Sequence, residues 1–209
     1  MSSRERILGR LRAAQAPFKD LPVIEQKQAV VPVSDRSPSA LTELFVREAQ
    51  TVGCTVHSVS TATQALEIFW SILEMDQNVL CWEPQRIPID GLAKQLSTRG
   101  IEVAAVNDGQ VRVGLTGASA GLAATGSLVV LSGDGRHRLT SLLPDVHVVV
   151  LLASQIVPDL EQWIRSNPDA FREPSNTVII TGPSKTADIA QELIKGAHGP
   201  RQVHILLIG

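Results

Sequence analysis

Residues 114–147 read GLTGASAGLAATGSLVVLSGDGRHRLTSLLPDVH, six glycines in one run around a short apolar strand. Glycine at this density marks backbone that takes positive φ or lies tightly against another group. On either side the sequence alternates between two periods. Apolar, strand-like stretches fall at 54–59, 78–82, 101–105, 111–115, 127–131, 147–152, 177–180 and 203–208. Helical spacing falls at 38–52, 61–74, 90–98, 157–165 and 187–195, with 118–123 read as a tight helical turn. Strands alternating with helices of this length predict βαβ units and a mainly parallel α/β sheet, whose ligands gather beyond the carboxyl ends of the strands.

The first 38 residues stand apart from that pattern. Ser2 and Glu5 have capping-box spacing ahead of Ile7, Leu8 and Leu11, so a short helix is predicted over 3–14. Prolines at 17, 22, 32 and 38 then interrupt any periodicity, and the stretch reads as an extended tether. The organisation expected is an N-terminal helix and arm over 1–38 and one α/β domain over 39–209.

Composition narrows the functions open to such a domain. Aromatic residues make up 3% of the chain and tyrosine is absent, which leaves few platforms for stacking single-stranded bases. A net charge of −2 gives no long-range attraction to nucleic acid or to an anionic membrane. The longest apolar run, 146–153, is too short to span a bilayer, and the N-terminus lacks the apolar centre of a secretory signal. A cytoplasmic protein is expected. Cys54 and Cys81 lie far apart in apolar surroundings and read as small buried side chains. Two cysteines cannot ligate a four-cysteine iron–sulfur cluster, and no histidine has metal-ligand spacing.

Two blocks carry more specific information. The first contains Thr116-Gly117-Ala118, Ala123, Thr125-Gly126-Ser127, Gly133, Gly135, Arg136, Ser141-Leu142-Leu143-Pro144 and His147. The second contains Thr181-Gly182-Pro183-Ser184-Lys185-Thr186-Ala187-Asp188-Ile189, then Gly196-Ala197-His198-Gly199-Pro200. In this order, over about half the chain, they resemble the lactate utilization protein C family, the LUD domain. The resemblance implies a three-layer α/β/α sandwich like that of sugar-phosphate isomerases and CoA transferases. It also implies an accessory role in oxidising L-lactate to pyruvate. Iron–sulfur clusters would then belong to partner subunits, with no cofactor bound by this chain and a homo-oligomer possible.

The candidate site follows from both readings. A strand ending at Thr181-Gly182, a loop with Ser184, Lys185 and Thr186, and a helix beginning near 187 would present free N–H groups and a positive dipole to a small anion. Asp188 would orient Lys185 or the loop; in the plainer reading Ser184 or Thr186 simply caps the helix. Thr125, Gly126 and Ser127 form a second turn where a ligand can approach backbone. Arg136 offers a planar fork of donors for a carboxylate. His198, placed between a helix end and Gly199-Pro200, either bonds the last helical carbonyls or assists chemistry, and is preferred for that over His147. Family members typically carry glutamate before the Thr-Gly pair, where this chain has Ala124. That departure speaks against the alternative of an acyl-CoA or sugar-phosphate enzyme, and leaves open a domain that has lost its site.

Overall fold

The computed structural model describes residues 2–15, 33–172, 174–187, 193–196 and 198–209. It comprises two compact units, Met1–Val30 and Val31–Gly209. In the first, helix α1 (Ser3–Gln15) opens with the expected capping box. The Ser2 N–H donates to Glu5 Oε2 at 2.6 Å and the Glu5 N–H to Ser2 Oγ at 3.2 Å. Most of the proline-containing arm lies outside the described residues.

The second unit is built on a six-stranded, all-parallel sheet. Its members are β1 (Thr55–Val59), β2 (Asn78–Cys81), β3 (Glu102–Val103), β4 (Val113–Gly117), β7 (Val146–Leu152) and β12 (Gln202–Ile208), in the order β1-β12-β7-β4-β2-β3. β7 reads VHVVVLL and is buried along nearly its whole length, as a central parallel strand covered on both faces must be. Helices flank the sheet. α3 (Ala62–Leu73) packs on β1 and β12 through Ala65, Leu66, Phe69 and Leu73, and starts at Thr61, whose Oγ1 accepts from the Gln64 N–H. α4 (Leu92–Thr98) buries Leu92 and Leu96.

A second sheet separates from the first. β4 ends at Gly117, and within three residues the chain enters β5 (Ala120–Leu122), which pairs antiparallel with β6 (Ser127–Ser132). β8 (Ile156–Val157) and β9 (Asn176–Ile180) complete the order β8-β5-β6-β9. In place of the expected helical turn over 118–123, residues 120–122 form strand β5; the Ser119 N–H bonds the Val129 carbonyl at 2.8 Å and holds the entry to it extended. Val157 likewise belongs to β8. The helix that follows, α5 (Leu160–Ser166), begins where Asp159 caps it through the Gln162 N–H.

α2 (Pro38–Thr51) contacts β1 in the first sheet and both β6 and β8 in the second. Leu41, Phe45 and Ala49, one turn apart, form its buried stripe. Its end is a Schellman motif: the Gly53 N–H bonds the Gln50 carbonyl at 3.0 Å and the Cys54 N–H the Ala49 carbonyl at 2.9 Å.

The largest departure from expectation lies after β9. Helical spacing runs over 187–195, yet both described ends of that stretch are strand: β10 (Lys185–Ala187) pairs antiparallel with β11 (Leu193–Lys195), and residues 188–192 lie outside the described residues. The pairing is fixed from outside the segment: the Ser184 N–H donates to the Pro200 carbonyl at 2.8 Å and the Gly196 N–H to the Ser184 carbonyl at 3.0 Å. Tertiary hydrogen bonds here override local helical propensity.

Candidate functional site

The two glycine-bearing turns do meet. β6 and β9 are antiparallel with Leu128 opposite Ile180, which sets Ser127 beside Thr181. Thr125 Oγ1 lies 2.7 Å from Ser127 Oγ, and Ser127 Oγ lies 2.8 Å from Thr181 Oγ1. This short chain of hydroxyls joins segments more than fifty residues apart in sequence.

What the turns approach is the protein's own helix. Gly126 has φ +62°, and a Cβ there would run into the α2 backbone at Glu48 and Ala49. Gly182 has φ +83°, and a Cβ there would stand 2.5 Å from the Val52 carbonyl oxygen. Lys185 Nζ donates to that same oxygen at 2.9 Å, putting a cation where the α2 dipole is negative. Gly126, Gly182 and Lys185 therefore clamp the C-terminal half of α2. Ala187 closes strand β10 rather than opening the expected helix, and residues 188–192 of that expected helix lie outside the described residues. Thr186 sits in β10 opposite Ile194, and Asp188 lies outside the described residues.

Ser184 and His198 fall on a neighbouring feature. With Thr181, Gly182, Ser141 and His147 they line a cavity of about 210 Å³. The His198 N–H points at Ser184 Oγ, 3.4 Å away. His198 does not follow a helix; it follows β11 and Gly196. His147 is fully buried, with Nε2 2.9 Å from Thr116 Oγ1 and Nδ1 unpartnered among the described residues. Burial pushes its pKa down to about 3, so the ring is neutral.

Arg136 belongs to neither group. β6 spans six residues, about 20 Å at the usual rise, and Arg136 lies past the end opposite Ser127. The Gly133-Asp134-Gly135-Arg136 turn closes through the Gly133 N–H to the Arg136 carbonyl at 3.1 Å and the reverse bond at 3.0 Å. The Glu83 N–H grips the Gly135 carbonyl at 2.8 Å. Glu83 follows β2, so the turn is anchored just beyond the carboxyl end of a parallel strand. Arg136 Nε is buried with no partner among the described residues. The side chain lines a cavity of about 520 Å³ together with Asp134, Asn167 and Asp169. Asp169 is engaged by Arg172 at 3.8 Å, and Asp134 is nearly fully exposed. Asn167 and Asp169 were not foreseen from sequence; they sit in the irregular segment after α5, which has no periodicity to read.

The other groups singled out take structural places. Ala124 donates its N–H to the Pro158 carbonyl at 2.9 Å. Cys54 and Cys81 are buried free thiols, pushed up by burial to about 11 and about 12. His57 and His204 stack on neighbouring strands with Nε2 and Nδ1 3.1 Å apart. No group of three or more potential metal ligands occurs among the described residues, and no helix among them is long and apolar enough to cross a membrane.

With this geometry in view, comparison with known proteins is decisive at the level of family. The model of the LUD domain matches residues 42–208, almost the whole second unit. The chain belongs to the LUD domain family. It is 35% identical over 136 residues to lactate utilization protein C of Halalkalibacterium halodurans, covering 59% of each chain. Lactate utilization protein C of Bacillus subtilis is 37% identical over 103 residues, 47% of this chain and 43% of that one. The chain spans about half the length of the curated relatives it matches. Among solved structures, a DUF162 family protein from Deinococcus radiodurans has the same fold, with a TM-score of 0.60 at 20% identity over 85% of this chain and 100% of that one.

Proposed function

We propose that this LUD-domain chain takes part in lactate utilization by binding a small carboxylate at Arg136, while iron–sulfur partner subunits carry the electrons. The name shared by several relatives motivates the pathway. The observation that carries the site is Arg136 on the wall of a cavity of about 520 Å³, with its Nε buried and without a partner among the described residues. A guanidinium binds a carboxylate through two parallel N–H bonds, and a partly dry setting strengthens both. Asn167 on the same wall supplies a donor and an acceptor for the hydroxyl of lactate or the carbonyl of pyruvate.

The chain's own chemistry favours binding over turnover. Ala124 supplies no carboxylate nucleophile, which removes the covalent route of CoA transferases. Both thiols are buried and held protonated, so cluster ligation falls to partners. Calorimetric titration with lactate and pyruvate tests the proposal. Binding should weaken at least about tenfold in Arg136→Gln, as loss of a charge-assisted pair requires; equal affinity in the two proteins would refute it.

A further inference from the structure

The amino ends of β7 and β12 enclose a cavity that none of these roles uses. Its floor is His147, the second residue of β7, in register with Gly114 on one side and Val203 on the other. The ring is completely buried, Thr116 Oγ1 engages Nε2 at 2.9 Å, and Nδ1 has no hydrogen-bond partner among the described residues. A neutral imidazole in this setting offers one hydrogen bond at Nδ1. It is a donor or an acceptor according to which way the Thr116 hydroxyl proton points.

The walls explain what kind of group would take that bond. Leu142, Ile180, Pro200 and Val203 give the space of about 210 Å³ an aliphatic lining. The hydroxyls beside them are largely engaged: Ser141 Oγ donates to the Arg138 carbonyl at 3.0 Å, and Thr181 Oγ1 is held by Ser127. Ser184, at the mouth beside the exposed His198, keeps its proton available. No lysine or arginine is among the described lining residues; Lys185 is turned to Val52 and Arg201 to Asp145. A carboxylate entering here would lose its water and meet no lysine or arginine among the described lining residues.

We infer that this cavity is a second binding site, for a small uncharged ligand whose short aliphatic body carries an amide, ketone or hydroxyl directed at His147 Nδ1. It is separate from the Arg136 cavity and does not depend on a carboxylate binding there. The site discriminates by charge: the floor accepts a polar atom and the walls reject an ion.

Isobutyramide and isobutyrate have nearly the same shape and differ in charge, which makes them suitable probes. In the full chain labelled with ¹⁵N at histidine, isobutyramide should move the His147 ring nitrogens saturably. Isobutyrate should need at least about tenfold higher concentration, reflecting the cost of burying an unpaired charge. Ser184→Leu, which fills the mouth, should abolish the response while leaving the ligand-free His147 resonances in place. Arg136→Gln should leave the response unchanged. His147→Leu should also abolish binding as read by thermal shift; if that variant does not fold, Ser184→Leu carries the test. Equal midpoints for amide and carboxylate, His147 nitrogens unmoved up to the solubility of the amide, or wild-type binding by Ser184→Leu would each overturn the inference.

Discussion

Two glycine-bearing regions of this protein look alike as sequence and behave in opposite ways. Around Thr125–Ser127 and Thr181–Lys185, positive-φ glycines bring backbone up against α2, and the nearby cation caps that helix. Around Gly133–Arg136, a turn of similar composition is pinned to Glu83 and leaves a buried guanidinium nitrogen without a partner among the described residues. Glycine thus reports that something comes close, without saying whether it is ligand or protein. A buried polar atom without a partner is the better guide to a ligand.

Substitution separates the two regions most sharply. Gly126→Ala adds a methyl inside the α2 backbone at a φ that alanine resists, so it should cost about 3 kcal/mol or more in urea unfolding. Gly182→Ala, less tightly pressed, should cost about 2 kcal/mol. Carboxylate affinity of whatever folds should be unchanged. If either variant instead kept full stability and lost binding, the turns would be ligand-facing and the comparison would fail.

Acid provides the next largest effect. Burial holds His147, His57 and His204 below the ordinary histidine value near 6.5, His147 to about 3. The unfolded chain therefore takes up protons that the folded protein refuses. Stability should be full above roughly pH 6.5 and fall as the pH drops from there toward 3, with His147 alone accounting for about 2 kcal/mol by about pH 5. Denaturation midpoints that stay level between neutral pH and pH 5 would show that the ring is not buried as described.

The smallest effect tests the cap. Lys185→Met removes the bond to the Val52 carbonyl and a charge from the end of α2, a loss of about 0.5–1 kcal/mol. Lactate and pyruvate binding should not change. A large fall in their affinity would return Lys185 to the ligand site.

The uneven legibility of the chain follows the range of the forces involved. β7 and β12 were readable because a strand covered on both faces needs a near-continuous apolar run, and VHVVVLL and QVHILLI supply it apart from their histidines and Gln202. α2 and α3 were readable because their stripes, Thr61 cap and Gly53 terminus are local. β10 and β11 were not: residues 187–195 have helical spacing, while the bonds at Ser184 that accompany the strand pairing reach to Gly196 and Pro200. The division into two sheets was equally hidden, since Ala120–Leu122 is three small or apolar residues with no pattern of its own. For the site, the sequence singled out Ser127 and Arg136 as worth attention, while the contact of Ser127 with Thr181 depends on the register of β6 and β9. The partner of Lys185 lies 133 residues away, and no local motif encodes that.

The most direct measurement is a crystal structure of the protein grown with pyruvate. The carboxylate should lie against the guanidinium of Arg136, with Lys185 still bonded to Val52 and no density between Gly126 and Gly182. A carboxylate held at Gly182–Lys185, with the lysine drawn away from α2, would contradict the account.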